Sequence, residues 1–392
     1  LKRGSVVYMH KVGPDDWEVI NMPTVQAAFV SLAPADGAIR SLVGGFDFYR
    51  GNFNRVTQAW RQPGSNIKPF IYAASLERGL TPATQISDQP FMLSAAQTGS
   101  KAWNPKNYGN QYEAMLTMRQ GLYKSKNMVT IRIMQAIGPQ YAQDYLARFG
   151  FDKSRQPPVL PMALGAGAVT PLQLAGAYSV FANGGYRITP YLIDRVTDSN
   201  GKILMQSRPV VAGDAAARAI DPRTAYIMDD MLRGVTISGT AARARATLKR
   251  NDLAGKTGTT NESVDAWFSG YTPSLVATAW LGYDQPRSLG ARETGGGVAM
   301  PIWLSYMQDV LKGVPEQPRR EKPEGMLVEG GEMYFAEFPP GQAVARLGLP
   351  VQDELGDFLN TLTSDSASSG NTFKAAPNVR AGDGQWSQNL NF

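Results

Sequence analysis

A serine and a lysine stand three positions apart in the segment QPGSNIKPF, at Ser65 and Lys68. On a helix, residues with this spacing share one face, so the hydroxyl and the amine would lie side by side. A serine hydroxyl is a poor nucleophile until a base removes its proton, and a lysine can be that base when burial or a nearby positive charge lowers its pKa. The spacing therefore indicates a lysine-activated serine, and the alternative is that Ser65 is only the N-cap of a helix.

The same spacing occurs a second time, at Ser199 and Lys202, where Asn200-Gly201 predicts a hairpin turn. Nothing in such a turn would hold the second pair rigid or shield it from water. A chain of this length should contain about one such pair by chance, so the spacing alone does not establish a function.

The counts of two residue types restrict the chemistry further. The chain has no cysteine and a single histidine, His10. A thiol nucleophile is impossible, a histidine-rich zinc site is disfavoured, and a Ser-His-Asp triad would have to recruit His10, which we expect at the surface. If the chain is a serine-type hydrolase, lysine is the expected base, and neither a metal nor another cofactor is predicted.

Ser125 and Asn127 form a second candidate, because the triplet Ser125-Lys126-Asn127 interrupts the helical rhythm of LTMRQGLYKSKNMVTIRIM. If a helix breaks or begins there, Ser125 could relay a proton in a cleft and Asn127 could donate an amide hydrogen bond. The alternatives are a plain loop between helices and an N-cap. A serine two residues before an asparagine also occurs at Ser369 and Ser387, so the pattern by itself is not specific.

A third candidate is the segment KTGTT, which lies on a predicted strand and consists of Lys256, Thr257, Gly258, Thr259 and Thr260. Glycine inside a strand costs stability and often marks the close approach of a ligand or of another backbone. A cation and hydroxyls beside it would suit an extended peptide that ends in a carboxylate. The alternative is the end of an edge strand with solvated lysine and threonine side chains.

Length and composition predict a chain with a large core. Its 392 residues are 43% hydrophobic, which suits one big domain or two smaller ones. The net charge of +6 is spread over scattered lysines and arginines, so nucleic-acid binding is not expected. No apolar run is long enough to cross a membrane, and we expect a soluble piece of a longer protein.

Strand and helix patterns predict the elements that position these residues. Residues 1–24 indicate a hairpin or linker strand, and two strands joined by the turn Pro34-Ala35-Asp36-Gly37 follow. Residues 65–235 have mainly helical periodicity, and three short strands follow Arg250. Strands at both ends with helices between them predict an α+β fold, in which N- and C-terminal segments complete one antiparallel sheet of about five strands.

The residues from 316 onward have a different composition. Proline, glutamate, glycine and serine become frequent, and the stretch SDSASSGNTFKAAPNVRAGDGQ has little apolar content. We therefore predict a main domain over residues 25–315, followed by a loosely held, partly disordered extension over residues 316–392.

Taken in order, the three candidate segments resemble the signature of the penicillin-binding proteins and serine β-lactamases. The sequence around these segments is similar to the transpeptidase domain of class A, bifunctional penicillin-binding proteins, in the blocks RQPGSNIKPF, WNPKNY, MRQGLYKSKN, GAVTPLQLAGAYSVFANGG and GKTGTTNESVDAWFSGY. The resemblance covers about residues 25–315. It implies a β-lactamase/transpeptidase-like fold, in which helices and a large, mostly helical subdomain flank the antiparallel sheet.

The resemblance also implies a reaction and its catalytic residues. Ser65 would attack the D-Ala-D-Ala bond of a peptidoglycan stem peptide, and Lys68 would be the base. Ser125 and Asn127 would pass the proton to the leaving D-alanine and hold the acyl chain. The resulting acyl-serine would be transferred to an amine on a neighbouring strand, and β-lactam antibiotics would acylate the same serine.

Binding residues follow from the same resemblance. The third segment would bind the carboxylate of the substrate or of a β-lactam, with the residues Lys256, Thr257, Gly258, Thr259 and Thr260. Backbone N–H groups of Ser65 and Thr259 would form the oxyanion hole. The positive charge of Lys256 would also help to keep Lys68 neutral, because like charges disfavour protonation.

Other activities on this fold stay open at the level of the sequence. A class A β-lactamase needs a glutamate that activates the deacylating water, and no glutamate occurs between Asn127 and Lys256. A D,D-carboxypeptidase differs only in using water as the acceptor, and slow β-lactamases of other types or a penicillin sensor would share the three segments.

Location and partners are likewise implied only by the resemblance. Full-length class A proteins carry a membrane anchor and a glycosyltransferase domain, and they act at the periplasmic face of the bacterial inner membrane. Partners would be stem peptides, β-lactams as covalent inhibitors, a lipoprotein activator and a second copy of the chain. Residues 1–24 could be the remnant of a small β-rich domain.

Overall fold

The computed structural model describes residues 2–348. The strands in this part of the chain are β1 (Tyr8–Lys11), β2 (Trp17–Ile20), β3 (Gln26–Leu32), β4 (Ile39–Val43), β5 (Gln85–Ser87), β6 (Met115–Thr117), β7 (Arg195–Thr197), β8 (Ile203–Gln206), β9 (Ala254–Thr259), β10 (Asp265–Thr272), β11 (Leu275–Gly282), β12 (Met326–Glu329), β13 (Glu332–Phe335) and β14 (Arg346–Leu347). The α-helices are α1 (Arg55–Gln58), α2 (Lys68–Leu76), α3 (Ala95–Thr98), α4 (Met118–Tyr123), α5 (Asn127–Ile137), α6 (Pro139–Arg148), α7 (Pro171–Ala182), α8 (Pro222–Ser238), α9 (Ala242–Leu248) and α10 (Met300–Val310). Short 3-10 helices lie at Phe48–Arg50, Gly64–Ile67, Tyr108–Asn110, Lys153–Arg155, Leu160–Leu164 and Asn261–Ser263, and a π-helix lies at Gly295–Ala299.

A five-stranded antiparallel sheet forms the centre of the fold, in the order β4-β3-β11-β10-β9. Strands β3 and β4 come from the N-terminal part of the chain, and β9, β10 and β11 come from the part after Arg250. The predicted α+β class and the antiparallel sheet built from both ends of the chain are therefore confirmed. Because β9 is an edge strand, one side of its backbone faces away from the sheet.

Helices cover both faces of this sheet. On β10 the ring of Phe268 packs against Trp303 of α10, and the Tyr271 hydroxyl donates to Asp229 of α8 at 3.1 Å. Phe268 and Tyr271 point to opposite faces, because side chains alternate along a strand. Every residue of β10 is buried, as expected for a strand with helices on both sides.

Helix α2, which begins at Lys68, runs through the core. All nine of its residues are buried, and it contacts α5, α6 and α8. The ring of Phe70 lies edge-on to Phe149 and Phe151, with centroid distances of 4.9 Å. The helix that carries the candidate lysine is therefore fixed by packing on all sides.

The turns predicted from the sequence are confirmed. Strands β1 and β2 pair as a hairpin, β3 and β4 pair across the turn at 34–37, and β7 and β8 pair across Asn200-Gly201. His10 is exposed on β1, as expected. Ser199 and Lys202 are exposed in the β7–β8 turn, so the second serine–lysine pair is not part of a closed site.

The region of predicted helical periodicity is less uniform than expected. It also contains β5 and β6, which are three residues long and pair with each other. Such short strands give no alternation that a sequence pattern could reveal. Within residues 2–348, no helix has both the length and the apolar character that a membrane span requires.

Residues 316–348 pack against the rest of the structure, so the expectation of a loosely held tail is wrong for this part of the extension. Strands β12 and β13 form a hairpin that buries Met326, Met333 and Phe335, and β14 adds in parallel to β5. Average composition missed this packing because alternate apolar positions are enough to bury one face of a hairpin. The remainder of the predicted extension lies outside the described residues, and the domain boundaries stay predictions.

An ion-pair network centred on Arg119 joins this hairpin to the helical part of the fold. The guanidinium of Arg119, in α4, bonds to Glu332 of β13 at 2.6 Å and to Asp230 of α8 at 2.5 Å. Arg319 binds the other oxygen of Asp230 at 2.9 Å. The side chain of Arg119 is only 16% exposed, so water screens these pairs little.

We predict that Arg119→Ala lowers the free energy of unfolding by about 3 kcal/mol, because it removes the arginine partner of the partly buried Glu332 and leaves Asp230 with Arg319 alone. Urea denaturation of the purified chain measures this change. The control is Lys153→Ala, which removes an ion pair with Asp144 in which both side chains are more than half exposed; it should cost less than about 1 kcal/mol. Equal losses in the two variants would contradict the structural role of the network.

Candidate active site

Ser65 lies in a 3-10 turn that leads directly into α2. The turn spans Gly64–Ile67, and its N-cap is Pro63 with no capping side chain. The interpretation of Ser65 as a simple N-cap is therefore wrong. Gly64 has φ +52°, and a Cβ atom there would lie 2.5 Å from the carbonyl oxygen of Thr259, so the turn lies directly against the end of β9.

Pro69 occupies an early position of α2, where no intrahelical hydrogen bond is lost. The segment RQPGSNIKPF thus combines a 3-10 turn that carries Ser65 with the buried first turn of the helix that carries Lys68.

The amine of Lys68 is fully buried and faces the second candidate segment. Lys68 Nζ donates to the carbonyl oxygen of Ser125 at 2.7 Å and to Asn127 Oδ1 at 2.6 Å, and it lies 3.4 Å from Ser125 Oγ. The Asn127 amide nitrogen donates to the carbonyl oxygen of Lys106 at 2.6 Å. The first two candidate segments are therefore in direct contact.

Ser125 lies at a break between α4 and α5, as the interrupted periodicity predicted. Its φ is +55°, a left-handed conformation that is rare for residues other than glycine. Strain of this kind persists only where surrounding contacts enforce it. The break turns the Ser125 hydroxyl toward the buried amines instead of continuing the helix.

Lys256, on β9, also contacts the Ser125 hydroxyl. Its amine is also fully buried, and it donates to Ser125 Oγ at 2.7 Å and to the carbonyl oxygen of Thr257 at 3.1 Å. The interpretation of this segment as a strand end with a solvated lysine is therefore wrong for Lys256. The hydroxyl of Ser125 lies between the amines of Lys68 and Lys256.

Burial gives both lysines unusual pKa values. It lowers the pKa of Lys256 to about 7. Burial also lowers the pKa of Lys68 well below its ordinary value of 10.5, the charge of Lys256 lowers it further, and the carboxylate of Asp88 acts in the opposite direction. Two adjacent buried ammonium groups would be costly, so the arrangement favours at least one neutral amine that can accept a proton.

The side chain of Asn66, which the sequence did not single out, joins the Ser65 turn to β9. Its amide nitrogen donates to Tyr178 Oη at 2.9 Å and to the carbonyl oxygen of Lys256 at 3.1 Å, while its oxygen accepts from Gly258 N at 3.1 Å. A Cβ atom on Gly258 would lie 2.5 Å from the Asn66 amide oxygen that accepts from Gly258 N, and 2.6 Å from the carbonyl oxygen of Pro63. The close approach predicted at Gly258 is thus made by Asn66.

The threonines of the third segment differ in their surroundings. Thr257 Oγ1 lies 2.8 Å from the hydroxyl of Thr240, and Thr259 Oγ1 accepts from Gly295 N at 3.0 Å. Thr260 Oγ1 accepts from Asp265 N at 2.8 Å in the connection between β9 and β10, so this hydroxyl stabilises the turn. Thr257 and Thr259 therefore remain the better placed pair for an extended ligand along β9.

The residues just before Ser65 are also bound to the central sheet. Arg61 forms a buried ion pair with Asp265 at 2.7 Å, and Asp265 also accepts from Trp280 Nε1 at 2.8 Å. Trp267 Nε1 donates to the carbonyl oxygen of Gln62 at 2.8 Å. The loop that leads to the serine is consequently tied to the central strands of the sheet.

Sequence reasoning missed Asn66, Asn107, Thr240 and Gly295 as individual residues. Asn66 and Asn107 lie inside the blocks RQPGSNIKPF and WNPKNY, which were the signal that could have found them. Thr240 and Gly295 reach the site only through tertiary contacts, and no local pattern marks them.

Comparison with known proteins identifies the family. The model of the penicillin binding protein transpeptidase domain matches residues 27–308. The penicillin-binding protein 1A of Neisseria flavescens is 50% identical over 337 residues, which cover 86% of this chain and 42% of that protein. The penicillin-binding protein 1A of Pseudomonas aeruginosa is 44% identical over 349 residues, which cover 78% of this chain and 42% of that protein. The chain thus spans less than half the length of these relatives.

Solved structures agree with the sequence comparisons. The crystal structure of penicillin-binding protein 1A from Haemophilus influenzae is similar with a TM-score of 0.81 and 34% identity, over 85% of this chain and 56% of that one. The PonA1 protein from Mycobacterium tuberculosis, solved in complex with penicillin V, has a TM-score of 0.65 and 26% identity, over 77% of this chain and 82% of that one. The chain belongs to the penicillin-binding protein transpeptidase domain family, and the curated relatives that it matches here are of the 1A type.

Proposed function

We propose that this chain is a serine-type D,D-transpeptidase that cross-links peptidoglycan stem peptides and is acylated by β-lactams. The observation that carries the proposal is the hydroxyl of Ser125 between two buried lysine amines, with Ser65 one helical turn from Lys68. An array of this kind can remove a proton from one group and deliver it to another without a metal or a histidine.

Acylation begins when neutral Lys68 takes the proton of the Ser65 hydroxyl. The serine oxygen then attacks the carbonyl carbon of the penultimate D-alanine, and the peptide bond to the terminal D-alanine breaks. Ser125 gives its proton to the leaving amine and regains one from the Lys68 ammonium, to which it is already close. The product is an ester on Ser65, and the released D-alanine carries the proton.

Substrate binding uses the edge of the sheet. The terminal carboxylate lies near Lys256, Thr257 and Thr259, and the peptide extends along β9. Backbone N–H groups of Ser65 and Thr259 stabilise the negative charge that develops on the carbonyl oxygen. Loss of one such donor typically costs about 100- to 1000-fold in rate, so the close packing of the Ser65 turn on Thr259 supports this assignment.

The ester on Ser65 is resolved by an amine of a neighbouring stem peptide. A carboxylate in the position used by class A β-lactamases would instead activate water, and the chain has no glutamate between Asn127 and Lys256. This composition favours transfer to an amine and a long-lived ester with penicillins. A D,D-carboxypeptidase is the second candidate, since the same residues would serve when water is the acceptor.

The greater length of the curated relatives bears on where this domain would act. Because the curated relatives are more than twice as long as the matched region, a glycosyltransferase part and a membrane anchor would lie outside these residues. The transpeptidase domain would then act at the periplasmic face of the bacterial inner membrane. A lipoprotein activator and self-association are partners suggested by the family alone.

We predict that penicillin adds its full mass to the intact protein and that Ser65→Ala abolishes the adduct, because the substitution removes the nucleophilic oxygen. Intact-mass spectrometry of both proteins measures this. The matched control is Ser199→Ala, which removes the serine of the exposed second pair and should leave the adduct unchanged. An adduct on Ser65→Ala would exclude Ser65 as the nucleophile.

Release of the bound drug separates the proposal from a β-lactamase. After removal of excess labelled penicillin, we expect the label to stay on the protein through many times the period that acylation requires, because the chain has no glutamate between Asn127 and Lys256 to activate water as in a class A β-lactamase. Complete turnover within seconds would contradict the transpeptidase proposal. D-alanine release with and without an amine acceptor distinguishes transfer from hydrolysis.

The pH dependence of acylation should have two limbs. Lys68 must be neutral to accept a proton, so the second-order rate constant should fall only when the pH drops through its pKa, which lies well below 10.5. Lys256 must be charged to attract a carboxylate, so the rate constant should also fall as the pH rises through about 7.

Lys256→Arg tests the second limb. Arginine stays charged to about pH 12 and beyond, so the alkaline limb should disappear even if the rate itself is lower. Lys124→Arg is the control, because the Lys124 side chain is on the surface, where it pairs with Glu113. An alkaline limb that stays near neutral pH in Lys256→Arg would show that another group causes it.

A further inference from the structure

We propose that Asp88, together with Asn107 and Lys126, is a positioning unit that fixes Ser125 and Asn127 for acylation. The inference rests on the proposed function of Ser65 and deepens it. None of the three side chains touches the reacting atoms in the steps given above. They act by holding the turn that does.

Asp88 is the centre of this unit. It follows β5, its carboxylate is completely buried, and each oxygen is paired. Oδ1 accepts from Asn107 Nδ2 at 2.8 Å, and Oδ2 accepts from Lys126 Nζ at 2.8 Å and from Glu113 N at 3.0 Å. Three donors on its two oxygens fix the orientation of this buried carboxylate.

Asn107 transmits that orientation to the start of α5. Its Oδ1 accepts from Asn127 N at 2.9 Å and from Met128 N at 3.3 Å, which are the first backbone N–H groups of the helix. The residue at the N-cap position, Lys126, provides no capping side chain. Asn107 therefore supplies the cap from another part of the chain. Its amide nitrogen donates to Asp88 and, at 3.0 Å, to the carbonyl oxygen of Gln111, and these two bonds direct its oxygen to the helix.

Lys126 fixes the residue between Ser125 and Asn127. Its side chain is 10% exposed, and besides Asp88 its amine bonds to Glu113 Oε1 at 3.2 Å and to the carbonyl oxygen of Gln111 at 3.1 Å. The side chain thus points away from the two buried lysine amines. Its ion pair with Asp88 holds the backbone that keeps Ser125 in its left-handed conformation.

Asp88 also acts on Lys68 through its charge. Burial and the positive charge of Lys256 lower the pKa of Lys68, and Asp88 opposes them. The charged groups around this amine are Lys256 from β9, Asp88 from the end of β5 and, beyond Asp88, Lys126. Removing the Asp88 charge should therefore lower the pKa of Lys68 further.

The test compares two substitutions in the same chain. Asp88→Asn keeps an acceptor for Asn107 but removes the negative charge and turns an amide donor toward Lys126 or Glu113 N. We expect the acylation rate constant at the plateau of the pH profile to fall by up to about 100-fold, and the acid limb to move to lower pH. Asn107→Ala removes the helix cap but leaves the Asp88 charge, so its plateau should fall while its acid limb stays in place.

The measurement is the rate constant for acylation by a chromogenic β-lactam as a function of pH. Each value is corrected for the fraction of the protein that is folded and can be acylated. Thermal unfolding of each variant confirms that it is folded at the assay temperature. The control is Lys153→Ala, which removes an exposed ion pair with Asp144 and should change neither the plateau nor the limb. If Asp88→Asn does not fold, Asn107→Ala decides the question alone.

A plateau lowered by about fivefold or more in the folded variants supports the positioning role. Wild-type plateaus in both folded variants, with only a lower melting temperature, would overturn it and assign the three residues to stability alone. An acid limb that does not move in Asp88→Asn would overturn the electrostatic part. Failure of the wild-type protein to be acylated at Ser65 would instead refute the proposed function, so the two failures are distinguishable.

Discussion

The site depends on one constraint: two lysine amines are buried side by side with a serine hydroxyl between them. Ser125 Oγ lies 2.7 Å from Lys256 Nζ and 3.4 Å from Lys68 Nζ, and both amines are fully buried. Removing two positive charges from water is costly unless one is lost or neighbouring groups compensate. The same cost that destabilises the charged amines makes Lys68 a base, so the chemistry follows directly from the burial.

The rest of the fold keeps this unfavourable arrangement in place. Lys256 is held on an edge strand whose neighbours are buried on both faces, and Lys68 on a helix that is buried all round. Between them, Asn66 binds Lys256 O and Gly258 N and so sets the distance from the Ser65 turn to β9. Small shifts of these rigid elements would separate the groups, because packed cores do not deform continuously.

The sequence predicted the sheet and the candidate residues for different reasons. The strands around KTGTT and the turn at 34–37 were accessible because alternation and turn residues are local signals. The grouping of Ser65, Ser125 and Lys256 was not, since Ser125 is 57 positions from Lys68 and 131 from Lys256 in the chain. Only the resemblance to a family brought them together before the structure did.

Other features could not have been predicted from local sequence patterns. The full burial of Lys68 and Lys256 depends on elements from both ends of the chain, and a lysine in a sequence gives no sign of it. The packing of β12, β13 and β14 was missed because average composition does not record which face of a hairpin is apolar. The hydrogen bonds of Asn107 and Asp88 to the α5 turn likewise join segments that are separate in sequence.

The charge of the Lys68 amine decides whether this site can activate Ser65. It can be measured by NMR titration of lysine side chains labelled with carbon-13 at Cε, with the Lys68 signal assigned from its absence in Lys68→Arg. We expect Lys68 to titrate well below 10.5, and its pKa to rise when the charge of Lys256 is removed in Lys256→Met, because Lys256 lowers it in the intact site. A Lys68 signal that titrates near 10.5 in the wild-type protein would contradict the role of Lys68 as the base, since no neutral amine would then be available to activate Ser65.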